Sequence, residues 1–334
     1  MAALFEPFMQ PGRTLTNRIG MSPMCQYRAE GDGVPTAWHE THYRSRAVGG
    51  TALVLTEMTD VTPEGRITNG CLGLWNDAQE AAFARIANAV HAEGSAFGVQ
   101  IAHAGRKSML EGEIVAPSAI PFANDRKVPS ALATDDVSRI VEAFAASARR
   151  AVNAGVDVVE VHGAHGYLLH QFLSPISNQR DDVYGDPARF ALDVVEAVRA
   201  ELPPTVALWF RMSAKEYQPG GYDETMLDAL LPRLVDAGVH VFDVSTGGNG
   251  PMRPEVYPGY QLRYARRVRE LTGVPVASVG AMNHPALAEF AVREGWCDVV
   301  LIGKAMLRTP YWAHEAARAL GVEHVMAGEY DKGV

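Results

Sequence analysis

Val156 to Pro175 reads VDVVEVHGAHGYLLHQFLSP. Its first six residues, Val156-Asp157-Val158-Val159-Glu160-Val161, are too short for a helix and rich in valine. That pattern predicts a strand buried on both faces. His162, His165 and Tyr167 follow, spaced by Gly163, Ala164 and Gly166. Small residues there let the backbone turn sharply and leave the rings uncovered. Two imidazoles and a phenol past the carboxyl end of a buried strand suit gripping an oxygen and delivering a proton. A His-x-x-His pair also suits a metal, but no cluster of His, Asp or Glu elsewhere offers an obvious third ligand, so no metal is expected.

Outward from this stretch, an apolar run followed by a helical pattern recurs eight times. The runs are about Arg18–Ser22, Ala52–Glu57, Phe97–Ala102, Val156–Val161, Val206–Met212, Val239–Ser245, Val274–Val279 and Asp298–Ile302. Between them Ala82, Phe83, Ile86, Ala89 and Val90 keep helical spacing, as do Val137, Ile140, Val141, Phe144 and Ala151. Asp186-Pro187, Asn283-His284-Pro285 and Thr309-Pro310 read as helix starts. Ala154-Gly155, Ala237-Gly238 and Glu294-Gly295 read as helix ends that hand over to strands. Eight βα units imply an α/β fold, a closed (β/α)8 TIM barrel, with residues 1–334 as one domain. An open doubly wound sheet is the alternative, but no G-x-G-x-x-G follows any strand.

The 334 residues fit one large barrel, and 47% hydrophobic residues supply its core. A net charge of −9 with interleaved signs speaks against nucleic acid and, weakly, against anionic membranes. No apolar run approaches membrane-spanning length. The start, MAALFEPFMQPGR, lacks a basic segment and is broken by Pro7 and Pro11, so it is not read as a signal peptide. Cys25, Cys71 and Cys297 are too scattered for an iron–sulfur cluster and suit a reducing cytoplasm.

In a barrel the active site lies at the carboxyl ends of the strands. That end collects Ser22, Pro23, Met24, Cys25, Gln26 and Tyr27 after the first strand, and Glu57, Met58 and Thr59 at the second. The third adds Gln100, His103, Arg106 and Lys107; the later strands add Arg211, Ser245, Gly247 and Gly248. Arg211 ends an apolar run and needs an anionic or carbonyl partner; a structural ion pair is the plain alternative. The last two strands end in Gly280 and Gly303-Lys304. Barrels often bind phosphate there on backbone N–H groups. Two long excursions, Ala104–Ala133 and Ser174–Asp186, read as lids or interface segments.

Three segments together resemble the old yellow enzyme family of FMN-dependent ene-reductases. They are Ser22-Pro23-Met24-Cys25-Gln26-Tyr27, Gln100-Ile101-Ala102-His103-Ala104-Gly105-Arg106-Lys107, and His162 through Tyr167 with Asn178, Arg180, Asp182, Tyr184 and Gly185. The cysteine in the first segment resembles the thermophilic-like subclass. The resemblance implies an FMN-binding barrel that reduces activated C=C bonds of α,β-unsaturated carbonyls and nitroalkenes with NADPH or NADH, by ping-pong hydride transfer. It implies that Ser22, Pro23, Met24, Cys25 and Met58 lie along the flavin and that Gln100 meets its pyrimidine edge. Arg211 would face the flavin where negative charge collects, and Gly280, Gly303 and Lys304 would hold the phosphate. His162 and His165 would polarise the substrate carbonyl, Tyr167 would donate the proton, and Tyr27 would line the pocket. A small-molecule substrate and a cytoplasmic homodimer or homotetramer are expected by the same resemblance. The sequence departs from the family where Met58 stands in place of the usual Ala, Lys304 in place of Arg, and Tyr330-Asp331-Lys332 in place of a Tyr-x-Arg tail. A lyase in the same barrel, forming a Schiff base on Lys304 or Lys107, is the competing chemistry.

Overall fold

A computed structural model describes residues 2–323 and 330. The expected role of Lys332 lies outside the described residues. Eight parallel strands form the barrel: β1 (Ile19–Met21), β2 (Leu53–Asp60), β3 (Ala96–Ala102), β4 (Val158–Gly163), β5 (Ala207–Ser213), β6 (Val241–Ser245), β7 (Val276–Ser278) and β8 (Val299–Ile302). Each pairs with the next, and Val300 of β8 pairs with Ile19 of β1, so the sheet closes. The eight repeats expected from the sequence are these eight strands, with ends that differ by at most three residues.

Helices α1 (Ala37–Val48), α2 (Asp77–Ala92), α3 (Thr134–Asn153), α4 (Arg189–Glu201), α5 (Glu224–Asp236), α6 (Leu262–Thr272), α7 (Pro285–Arg293) and α8 (Trp312–Ala319) lie around it. Helix α7 begins as expected, with His284 accepting the amide of Ala286 and Pro285 in the first turn. Two starts fall later than the Pro signals suggest. Helix α4 starts at Arg189, because Asp186 first closes a turn on the amide of Ala188, and α8 starts at Trp312. Gly155, Gly238 and Gly295 all have positive φ, which is the left-handed step that ends a helix before a strand.

Strand alternation divides the interior. Val159, Val161, Leu208, Phe210, Phe242 and Val300 point outward into the core shared with the helices. Leu53, Leu55, Val158, Ala207, Trp209, Val241, Val299 and Leu301 point inward and fill the lower barrel. A short antiparallel hairpin, Phe8–Met9 with Thr14–Leu15, closes the amino-terminal end. Its Phe8 and Leu15 join the inner cluster, and Gln10 accepts the Trp209 indole N–H at 3.0 Å. The hairpin thus seals the floor beneath the inner cluster.

The same alternation carries the next inward layers. Above Trp209 on β5 come Arg211 and Ser213, and above Val158 on β4 come Glu160 and His162. Between Leu55 and Met58, β2 slips by one residue against β3. This bulge lets Met58 and Asp60 align with Gln100 and Ala102. The two excursions bind each other: the Arg180 guanidinium donates to the carbonyls of Pro117 and Leu132 and pairs with Asp182.

Candidate active site

The sharp turn after β4 is built, not merely permitted. His165 has φ +58°, a conformation that costs a residue with a Cβ on the order of 1–3 kcal/mol. Its N–H donates to Ser213 Oγ at 3.0 Å, and its carbonyl accepts from Lys107 Nζ at 2.8 Å. Gly166, at φ +74°, lies so near the next loop that a Cβ would come within 2.3 Å of the Gly248 carbonyl oxygen. Its N–H donates to His170 Nδ1, and the other ring nitrogen of His170 meets Glu216 at 2.9 Å. The side-chain Nε2 of Gln171 donates to the carbonyls of both Ala104 and Gly166. The loops after β3, β4 and β6 are thereby locked together. Tyr27 and Ala281, at the ends of β1 and β7, also have positive φ, so backbone strain concentrates at this end.

The three aromatic groups converge. The His162 and His165 rings meet edge to face with centroids 5.3 Å apart, and His162 and Tyr167 likewise at 5.0 Å. His162 Nδ1 accepts the amide of Ala164 at 3.2 Å, so its proton sits on Nε2. His165 Nε2 lies 2.7 Å from Ser245 Oγ, and that hydroxyl donates to Gln261 Oε1. Burial, and then the Arg211 cation, hold both imidazoles well below their ordinary pKa. They are therefore neutral donors rather than imidazolium acids. Burial, followed by Cys25 and Tyr27, drives the Tyr167 phenol well above its usual range, so it stays protonated.

Below them lies a charged layer. Arg211 Nε is 2.8 Å from Asp243 Oδ2, and its Nη2 donates to Ser22 Oγ at 3.3 Å. Gln100 Nε2 donates to Glu160 Oε2 at 2.7 Å. Burial first, and then Asp243, push the Glu160 carboxyl up to about 8. The ion pair foreseen as the plain alternative for Arg211 is thus present, and Glu160 and Asp243 are the residues the motif reading missed. An acid inside an otherwise apolar strand, two positions before His162 or before Ser245, is the signal that would have found them.

Along the wall, Cys25 and Tyr167 pack against Met58, Ile67, Cys71, Ala102 and Ala104. Burial, with Glu57 as the next cause, pushes the Cys25 thiol well up. Glu57 also accepts the amide of Gln26 and the Tyr43 hydroxyl, which fixes the Ser22–Tyr27 segment. Asp60 is fully buried with neither carboxylate oxygen hydrogen-bonded, and burial raises its pKa well above the usual range. Nothing in its sequence neighbourhood marks it.

Gly280 and Gly303 end neighbouring strands. A Cβ on Gly303 would only touch Met24 Sδ, at 3.7 Å, whereas one on Gly280 would come within 2.8 Å of Gln261 Nε2. Lys304 opens the short helix Lys304–Arg308 and is exposed. A buried guanidinium and a buried amide at one barrel end, beside two strands that end in glycine, fit a polar ring that gains negative charge on reduction and carries a phosphate arm, as FMN does. His103 does not join the site. It accepts the amide of Gly105 beside Gly65, with burial lowering its pKa to about 4. Arg106 braces loops by donating to the carbonyls of Ile120, Pro121 and Asn249. Among the described residues no group of three or more His, Cys, Asp or Glu is placed to hold a metal, and no helix is long and apolar enough to cross a membrane.

Known proteins are similar to nearly the whole chain. The family model of the NADH:flavin oxidoreductase / NADH oxidase family matches residues 3–323. An NADPH dehydrogenase of Geobacillus thermodenitrificans (strain NG80-2) is 42% identical over 99% of this chain and 98% of its own. Morphinone reductase superposes with a TM-score of 0.81 at 28% identity, over 96% of this chain and 90% of its own. A 2-naphthoyl-CoA reductase complex reaches a TM-score of 0.90, but at 22% identity and with 52% of its longer chain covered, that likeness is one of fold. The chain belongs to the NADH:flavin oxidoreductase / NADH oxidase family, the old yellow enzymes. It is an FMN-dependent oxidoreductase with NADPH dehydrogenase activity.

Proposed function

We propose that the enzyme reduces the activated C=C bond of α,β-unsaturated carbonyls and nitroalkenes, with reductant and substrate alternating in one pocket. The observation that carries this reading is the convergence of two neutral imidazoles and a protonated phenol at one mouth of the barrel. FMN, when bound, supplies the hydride chemistry. Ser22, Pro23, Met24, Cys25, Met58, Gln100, Arg211, Gly280, Gly303 and Lys304 are the residues we assign to holding it, within a single FMN-binding domain.

His162 and His165 grip the substrate carbonyl oxygen. As hydride reaches the β-carbon, negative charge moves onto that oxygen, and N–H donors fixed beforehand stabilise it. Each such donor contributes about 3 kcal/mol in a typical case. Tyr167 then delivers a proton to the α-carbon. Tyr27, half-exposed, lines the entrance. Arg211 supplies the fixed cation that favours negative charge below the substrate. A cytoplasmic homodimer or homotetramer completes the reading.

His162→Ala combined with His165→Ala is the direct test. Enone turnover should fall by at least about a hundredfold while the yellow flavin stays bound. Loss of flavin with retained turnover in the residual holoprotein would show that these imidazoles serve the cofactor instead.

A further inference from the structure

Beside Tyr167, a cavity of about 280 Å³ opens between the loop after β3 and the excursion that follows it. Its lining includes Arg106, Lys107, Phe122, Asp125, Arg126 and Lys127. Lys107 belongs to both sites. Its ammonium lies 4.9 Å from the ring centroid of Phe122 in the cavity and 4.9 Å from that of Tyr167 in the mouth. The cavity therefore adjoins the place where substrate and reductant must meet.

The charges around it are unbalanced. Four cations line it against the single carboxylate of Asp125. Arg106 is committed to backbone carbonyls, and Lys107 donates to the carbonyls of His165 and Gly248. Arg126 and Lys127 are exposed, and among the described residues neither has an ion-pair partner. The excess of positive charge is felt inside: burial, then Arg106, Arg126 and Arg253, lower the Lys107 ammonium to about 8. Such a field concentrates anions. The volume falls just below the usual range for a whole small-molecule ligand, about 300–1,000 Å³, so it admits part of a dinucleotide.

We infer that this cavity takes a phosphate of the nicotinamide dinucleotide, with Arg126 and Lys127 as its free cations, while the nicotinamide ring enters the mouth beside Tyr167. The inference rests on the proposed reading of that mouth as the place of reaction. The phosphate is either the 2′-phosphate, found in NADPH alone, or the pyrophosphate that NADPH and NADH share.

The test is Arg126→Ala with Lys127→Ala in the holoenzyme, followed by stopped-flow reduction of the flavin against reductant concentration at low and high salt. The apparent Kd for NADPH should rise on the order of tenfold, with the limiting rate unchanged and the salt dependence flattened. An unchanged Kd for NADH assigns the 2′-phosphate; an equal rise for both assigns the pyrophosphate. A Kd for NADPH within twofold of the parent, with the same salt dependence, overturns the inference. Reoxidation by 2-cyclohexenone is followed in the same samples. If the parent flavin is not reoxidised, the proposed function fails instead. Calorimetry with adenosine 2′,5′-bisphosphate and with 5′-ADP then decides the cavity: binding of either that the double variant loses supports it, and binding of neither overturns it.

Discussion

His165 Nε2 lies 2.7 Å from Ser245 Oγ, so one of the two proposed carbonyl-gripping imidazoles is already engaged. The serine hydroxyl donates onward to Gln261, so it accepts the His165 proton. A substrate oxygen that takes that proton must displace Ser245. In Ser245→Ala the His165 N–H is left without this partner, at a cost of about 1–3 kcal/mol that a substrate oxygen would relieve. KM for 2-cyclohexenone should therefore fall several-fold with flavin content unchanged. A rise in KM would mean that Ser245 serves chiefly to aim the ring.

Gly166→Ala should be damaging for two separate reasons. The residue holds φ +74°, and a Cβ would sit 2.3 Å from the Gly248 carbonyl oxygen. The strain alone is worth about 1–3 kcal/mol. Separation of the two loops would also release the His165 and Lys107 contacts that cross between them. A melting temperature lower by several degrees, together with lost turnover, is expected. A variant with wild-type melting behaviour would show that the loops are not held this tightly.

Glu160 gives a pH dependence with a definite sign. Its folded pKa, raised to about 8, exceeds its ordinary 4.5. Between these values the folded protein keeps a proton that the unfolded chain releases, so this contribution to stability declines as pH rises from about 4.5 to about 8. Glu160→Gln removes the ionisation and keeps an acceptor for Gln100. The variant should match the parent near pH 5 and melt above it at pH 9. Thermal melts at both values check this, and parallel decline of the two proteins would refute it.

Asp60 is a buried acid with no hydrogen bond, the kind of group that lowers stability unless a function retains it. The nearby Arg66 guanidinium is committed to the carbonyls of Pro63, Gly31 and Asn69. Asp60→Asn should leave the melting temperature at pH 8 unchanged or higher, because no charge then has to be buried. A drop of several degrees would reveal a stabilising partner for the carboxylate.

The chain's own order announced the barrel. Eight short apolar runs with helical patterns between them can bury both strand faces by closing on themselves under a ring of helices, and Gly155, Gly238 and Gly295 mark the handovers because their left-handed step ends a helix abruptly. His162, His165 and Tyr167 were legible for a similarly local reason: three reactive groups stand within six residues at a strand end, separated by small residues. What the tertiary structure alone decided depends on register between distant segments. The pairing of β5 with β4 and β6 brings Arg211, Glu160 and Asp243 into one buried layer, where Asp243 helps to raise the Glu160 carboxyl and Arg211 opposes that shift. The one-residue slip at Met58 aims Asp60 inward, and Ser213, Ser245 and Gly248 clamp the His165 turn from strands far along the chain. Strand periodicity is written in neighbouring residues, whereas an electrostatic layer exists only where several strands, each blind to the others in sequence, meet inside a closed wall.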